Sequence, residues 1–115
     1  MTTLTNTSLA FNEVKTVNGY SELSVSGVKV DYSGAEDSKV LVLLENTSEE
    51  ERKVTVLAGN GIQGVNDLEL TLSASSTSAV ALESGRFMFL SGENCGCAVL
   101  KADNAGVKVL VIELP

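Results

Sequence analysis

The residues with the most reactive side chains are two cysteines, Cys95 and Cys97 in "NCGCAV", in a chain of 115 residues that contains no histidine. On an extended strand the two thiols share a face, as a pair of metal ligands would. A structural zinc needs four ligands, however, and two thiols without an imidazole do not supply them. An intrachain disulfide requires Gly96 to bend the backbone, because extended Cα atoms two residues apart sit about 7 Å from one another, at the upper limit for such a bond. The expectation is two reduced thiols of a cytoplasmically made protein, dispensable for folding, with no metal.

A second pattern is the G-x-G-x-x-G of "AGNGIQGVNDLEL", formed by Gly59, Gly61 and Gly64 after the apolar run "VTVLA", with Glu83 further along. In a dinucleotide site the third glycine opens a helix whose N-terminus holds the pyrophosphate. Here "VNDLELTLS" alternates like a strand. No crossover helix fits, so the glycines are read as turn residues with positive φ, and no cofactor is expected.

The remaining candidates are weaker. "DYSGAEDS" offers Asp31, Glu36 and Asp37 but lacks the order of a calcium loop, so a solvated turn is expected. "NTS" at Asn6 and Asn46 matches the glycosylation acceptor pattern, which means little without a secretory signal, and none is expected from the polar, Thr-rich "MTTLTNTSLAF". Without histidine the Ser-His-Asp triad is excluded. Carboxylate chemistry at Glu83 or Glu93 has no supporting spacing, so no catalytic residues are assigned and an enzyme is not expected.

Charge narrows the partners. Fifteen acidic residues against eight basic ones give a net charge of −7. Phosphate neutralisation needs clustered Lys and Arg, so nucleic acid is not an expected partner. The longest aliphatic run, "VLVLL", is too short to cross a bilayer as a helix, and no membrane association is expected.

The elements that would position these residues are strands. "VKVDY", "KVTVLA", "LELTL" and "SAVALE" alternate with period two, and no window carries a helical stripe. Turns are marked by Asn18-Gly19, Ser26-Gly27, Ser33-Gly34, Asn60-Gly61, Ser84-Gly85, Ser91-Gly92 and "DNAG" at 103–106. Strands are expected over about 8–16, 22–32, 39–46, 52–58, 67–73, 78–84, 86–91, 96–102 and 106–114. The fold class is therefore all-β: a single-domain antiparallel β-sandwich or jelly-roll-like barrel of eight or nine short strands. Residues 1–8 read as a flexible arm, 9–115 as the domain, and "ENTSEEERK" as a charged hairpin loop.

The segment 58–87, with its "AGNGIQG" loop and "ALESGRF" corner, together with the ending "VKVLVIELP", resembles small β-rich head proteins of tailed bacteriophages and prophages. That group comprises capsid decoration and head auxiliary proteins, and the likeness covers roughly residues 39–115. It implies a non-enzymatic virion component, made in the host cytoplasm, that docks on the major capsid protein and stabilises the assembled shell. The Cys-Gly-Cys segment is not part of the likeness.

Three stretches, "VLVLL", "FMFL" and "VLVIEL", are apolar on both faces, where a two-layer sandwich should leave one face wet. A partner surface is expected to cover the second face. The candidate interface comprises Val107, Val109, Val111, Leu110, Ile112, Leu114, Phe87 and Phe89. Self-association is expected, as a trimer on the strength of the resemblance alone. The alternatives are a carbohydrate-binding or adhesin-like sandwich module, disfavoured by two Tyr, three Phe and no Trp, and another phage component such as a tail or fibre part.

Overall fold

A computed structural model describes residues 1–17, 19–32 and 36–115. Asn18 and Ser33-Gly34, two of the expected turn markers, lie at or across positions outside the described residues. Among the described residues ten strands are formed: β1 (Thr2–Thr3), β2 (Thr7–Ser8), β3 (Ser21–Leu23), β4 (Val28–Asp31), β5 (Val40–Asn46), β6 (Arg52–Val56), β7 (Leu68–Leu72), β8 (Ser76–Val80), β9 (Cys97–Ala102) and β10 (Val107–Glu113). A four-residue α-helix, α1 (Ser84–Phe87), and a 3-10 turn over Asp37–Lys39 interrupt them.

The strands make two five-stranded sheets. The first has the order β1-β4-β9-β6-β7; the second has β2-β10-β5-β8, with β3 also on β10. The inward residues are those that the period of two selects: Val30, Val54, Val56 and Leu100 from one sheet meet Val42, Leu44, Val109 and Val111 from the other, all fully buried. Each such aliphatic side chain stabilises by about 1.5–3 kcal/mol. The all-β sandwich expected from the alternation is the fold observed.

Its details differ in ways that have physical causes. The sheets are mixed rather than antiparallel, because the N-terminal residues join both layers. Thr2 and Thr3 pair in parallel with Val28 and Lys29, Leu4 drops into the core at 8 % exposure, and Thr7 and Ser8 pair in parallel with Ile112 and Glu113. Residues 1–8 are thus laced across the domain instead of hanging loose. Residues 9–17, much of the first expected strand, are irregular and form no strand.

The expected strand 22–32 is two strands in different layers. Leu23 pairs with Val107 in one sheet and Val28 with Leu100 in the other; between them Gly27 donates its N–H to the Ser24 carbonyl at 3.1 Å, so the chain turns and changes layer. "ENTSEEERK" is likewise not a hairpin, since β5 and β6 belong to opposite sheets. The buried Asn46 makes that crossing. Its Nδ2 donates to the carbonyls of Glu50 (2.8 Å), Ser73 (3.1 Å) and Leu72 (3.3 Å), while its Oδ1 accepts from Ser48 N–H (3.0 Å) and Ser48 Oγ (2.7 Å). A residue that matched a glycosylation pattern is in fact the hydrogen-bonded link between the β5–β6 and β7–β8 corners.

The expected strand 86–91 is broken as well. "GRF" closes the turn of α1, whose Ser84 N–H donates to Asp37 Oδ2 at 2.8 Å, and only Phe89 keeps a strand-like bridge, to Cys95. Asp37 therefore fastens a distant segment rather than sitting in a free solvated turn.

Candidate interaction surface

The loop carrying the three glycines runs from β6 to β7 and is followed by a strand, not a helix, which removes the geometry of a dinucleotide site. The glycines do not have the positive φ expected of them; that conformation occurs at Gly27, Gly92, Gly96 and Gly106. Their role is close approach. A Cβ on Gly59 would collide with the Met88 carbonyl, and one on Gly64 with the Gly59 carbonyl. The loop folds back on itself and lies against the 84–91 segment, backbone to backbone.

Hydrogen bonds hold the two segments together. Gly59 N–H donates to the Arg86 carbonyl at 2.9 Å, while within the loop itself Ala58 N–H donates to Asp67 Oδ1 at 2.6 Å. Asn60 makes a two-way clasp: its Oδ1 accepts from Leu90 N–H at 2.6 Å, and its Nδ2 donates to the Ser91 carbonyl at 3.1 Å.

This scaffold presents apolar groups to solvent. Ile62 is fully exposed, Val65 is 76 % and Leu90 58 % exposed. Ile62, Gln63, Met88 and Leu90 line a shallow groove of about 350 Å³ over Gly61 and Gly85. Large apolar side chains are thus held out in water at one end of the sandwich by a hydrogen-bonded scaffold. A second exposed set, Phe11, Val14, Val17 and Tyr20, lies on the irregular segment after β2.

The residues singled out from the sequence divide between core and surface. Val107, Val109 and Val111 point into the core at 1 % exposure each, and Phe87 is buried there too, so these four are not available to a partner. Leu110 and Ile112 face outward on the second sheet, where Leu110 lies opposite Leu43 and Ile112 opposite Leu41. Leu110 is 7 % exposed, while Leu41, Leu43 and Ile112 are half-buried. Leu114 is exposed at 41 % and Phe89 is half-buried. Ile62 and Val65 were missed, because an isolated aliphatic residue in a glycine-rich loop carries no periodic signal; Leu90 ends the apolar stretch "FMFL" but was not among the candidate interface residues.

Glu83 and Glu93 are both exposed and lie on separate segments, and among the described residues no three acidic or cysteine side chains group into a metal site. Cys95 is exposed and Cys97 buried. Burial, and then the neighbouring Asp31 carboxylate, push the Cys97 thiol up, with the Lys29 ammonium opposing.

No protein-family profile, curated protein or solved structure matches the chain. The class that the fold defines is a small all-β sandwich.

Proposed function

We propose that this chain is a non-enzymatic structural protein that docks on an assembled surface, and that the surface is the capsid of a tailed phage, built of major capsid protein. The supporting observation is the loop end of the sandwich, where Ile62, Val65 and Leu90 are held out in water by a clasped, glycine-dependent scaffold. Fixing such groups costs solvation that a partner surface would recover. The choice of a capsid rests on the resemblance of residues 58–87 and the terminal strand to phage head proteins. Many copies, each weakly held, would stabilise a shell together.

The same reading has the chain associate with itself, as a trimer. The outward stripe of Leu41, Leu43 and Ile112, each half-buried, supports it, because aliphatic side chains in register on one face favour a covering partner. Co-sedimentation with undecorated capsids tests the docking: saturable binding without any small ligand is expected, and its absence at micromolar protein rejects it. Sedimentation equilibrium tests the trimer; a 12.0 kDa species at all concentrations rejects that part.

A further inference from the structure

The Cys-Gly-Cys segment is not extended. Cys97 N–H donates to the Asn94 carbonyl at 3.0 Å, which closes a four-residue turn over 94–97. Gly96, the third residue of that turn, has φ +83°, the conformation that a type II turn demands there and that glycine supplies. Such a turn brings the Cα atoms flanking its third residue to roughly 5.5 Å, inside the range disulfides use, where an extended chain would hold them about 7 Å apart.

The surroundings hold this shape. Gly96 N–H donates to the Phe89 carbonyl at 2.7 Å, Phe89 N–H to the Cys97 carbonyl at 2.9 Å, and Tyr32 N–H to the Gly96 carbonyl at 2.9 Å. A preceding turn, from Cys95 N–H to the Gly92 carbonyl at 3.2 Å, fixes the other side. The bend is therefore in place before any bond forms.

We propose that Cys95 and Cys97 are a thiol–disulfide couple, oxidised to an intrachain disulfide by low-molecular-weight disulfides and reopened by the corresponding thiols. The exposed Cys95 is the attacking group. Its thiolate displaces one thiolate from the small disulfide, forming a bond to the other sulfur. Cys97 then gives up its proton, and its sulfur attacks Cys95 Sγ and expels the second thiolate. Two electrons and two protons leave the cysteine pair, and one small disulfide becomes two thiols. The raised affinity of the buried Cys97 for its proton fits the resolving rather than the attacking role. Closure also removes the hydrogen bond from the Cys95 thiol to the Leu90 carbonyl at 3.2 Å, so the redox state reaches a residue of the exposed apolar rim.

The experiment is incubation of the folded protein with oxidised glutathione, followed by acid quench and intact and peptide mass analysis. The parent chain is expected to lose two hydrogens, with a Cys95–Cys97 linkage and no retained glutathione, and to recover them in excess reduced glutathione. C97S is expected to keep one glutathione on Cys95, and C95S to remain unmodified while folded by circular dichroism. A parent chain that retains a glutathione adduct as C97S does, that links to a second copy through Cys95, or that stays reduced throughout, overturns the proposal.

Discussion

The backbone N–H of Leu90 donates to Oδ1 of Asn60 at 2.6 Å, and this contact locks two loops thirty residues apart in the sequence into one surface. Asn60 returns a hydrogen bond to the Ser91 carbonyl, so one side chain imitates a strand neighbour on both sides. Asn60→Ala should lower stability by about 1 kcal/mol, the usual worth of such bonds at an exposed site. Hydrogen exchange at Leu90 N–H reports the local effect directly: faster exchange there, with β5 and β10 unchanged, is the expected result.

The glycines predict an order of damage. Gly59→Ala and Gly64→Ala force a methyl group into backbone carbonyls that cannot move aside, and each should cost about 1–3 kcal/mol. Gly61→Ala should be milder, because its methyl would press on the flexible Leu90 side chain, 3.1 Å away, and meet the Gly85 carbonyl only at an ordinary 3.7 Å. Urea denaturation of the three variants checks the ranking. A Gly61 variant less stable than the other two would contradict it.

Asn46 should be among the least replaceable residues. It is 1 % exposed and satisfies five polar groups at the corner where the chain changes sheet. Asn46→Ala leaves buried carbonyls unpaired, at about 1–3 kcal/mol for each one that water does not reach. Asn46→Asp should be at least as harmful, since it turns a carboxylate towards three carbonyl oxygens. Thermal melts of both variants measure the loss.

Tyr32 provides a pH test. Burial, and then the Asp37 carboxylate, push its hydroxyl from 10.0 up to about 12. Below about pH 10 folded and unfolded chains both hold the proton. Between about pH 10 and about 12 the unfolded chain releases it first, so unfolding is favoured by up to roughly 3 kcal/mol. Tyr32→Phe should remove that alkaline loss. At neutral pH it should change little, because the Tyr32 hydroxyl has no hydrogen-bond partner among the described residues. Denaturant titrations at pH 7 and pH 11 compare the two.

Much of the fold was legible because buried strands repeat with period two: Val54 and Val56, Leu68 to Leu72, and Val107 to Val111 follow the pattern, and the strands lie where it puts them. What the pattern could not distinguish was which sheet a strand joins. Leu23 and Val28 both point inward, yet a turn between them moves the chain from one layer to the other, and alternation is the same in either. Short parallel pairings such as that of Thr7 with Ile112 leave no periodic trace, because two residues are too few to show one. At the surface, alternation gave one face of the C-terminal strand to the core and the other to a partner without distinguishing which, and the valines are the residues that fill the domain's own core. The loop end went unread for the opposite reason: exposure of Ile62 and Leu90 depends on tertiary hydrogen bonds of Asn60, which sequence spacing does not encode.

Docking through the apolar loop end is checked by a paired measurement on the parent chain and a variant of that end. Ile62→Asp with Leu90→Asp leaves the core untouched, so its melting temperature should stay within a few degrees of the parent chain. Both proteins are then titrated onto undecorated tailed-phage capsids and sedimented. Saturable binding of the parent chain is expected, with at least about tenfold weaker binding of the double variant, a loss of about 1.4 kcal/mol per copy. Equal binding by the two proteins, or no binding by the parent chain, would contradict it.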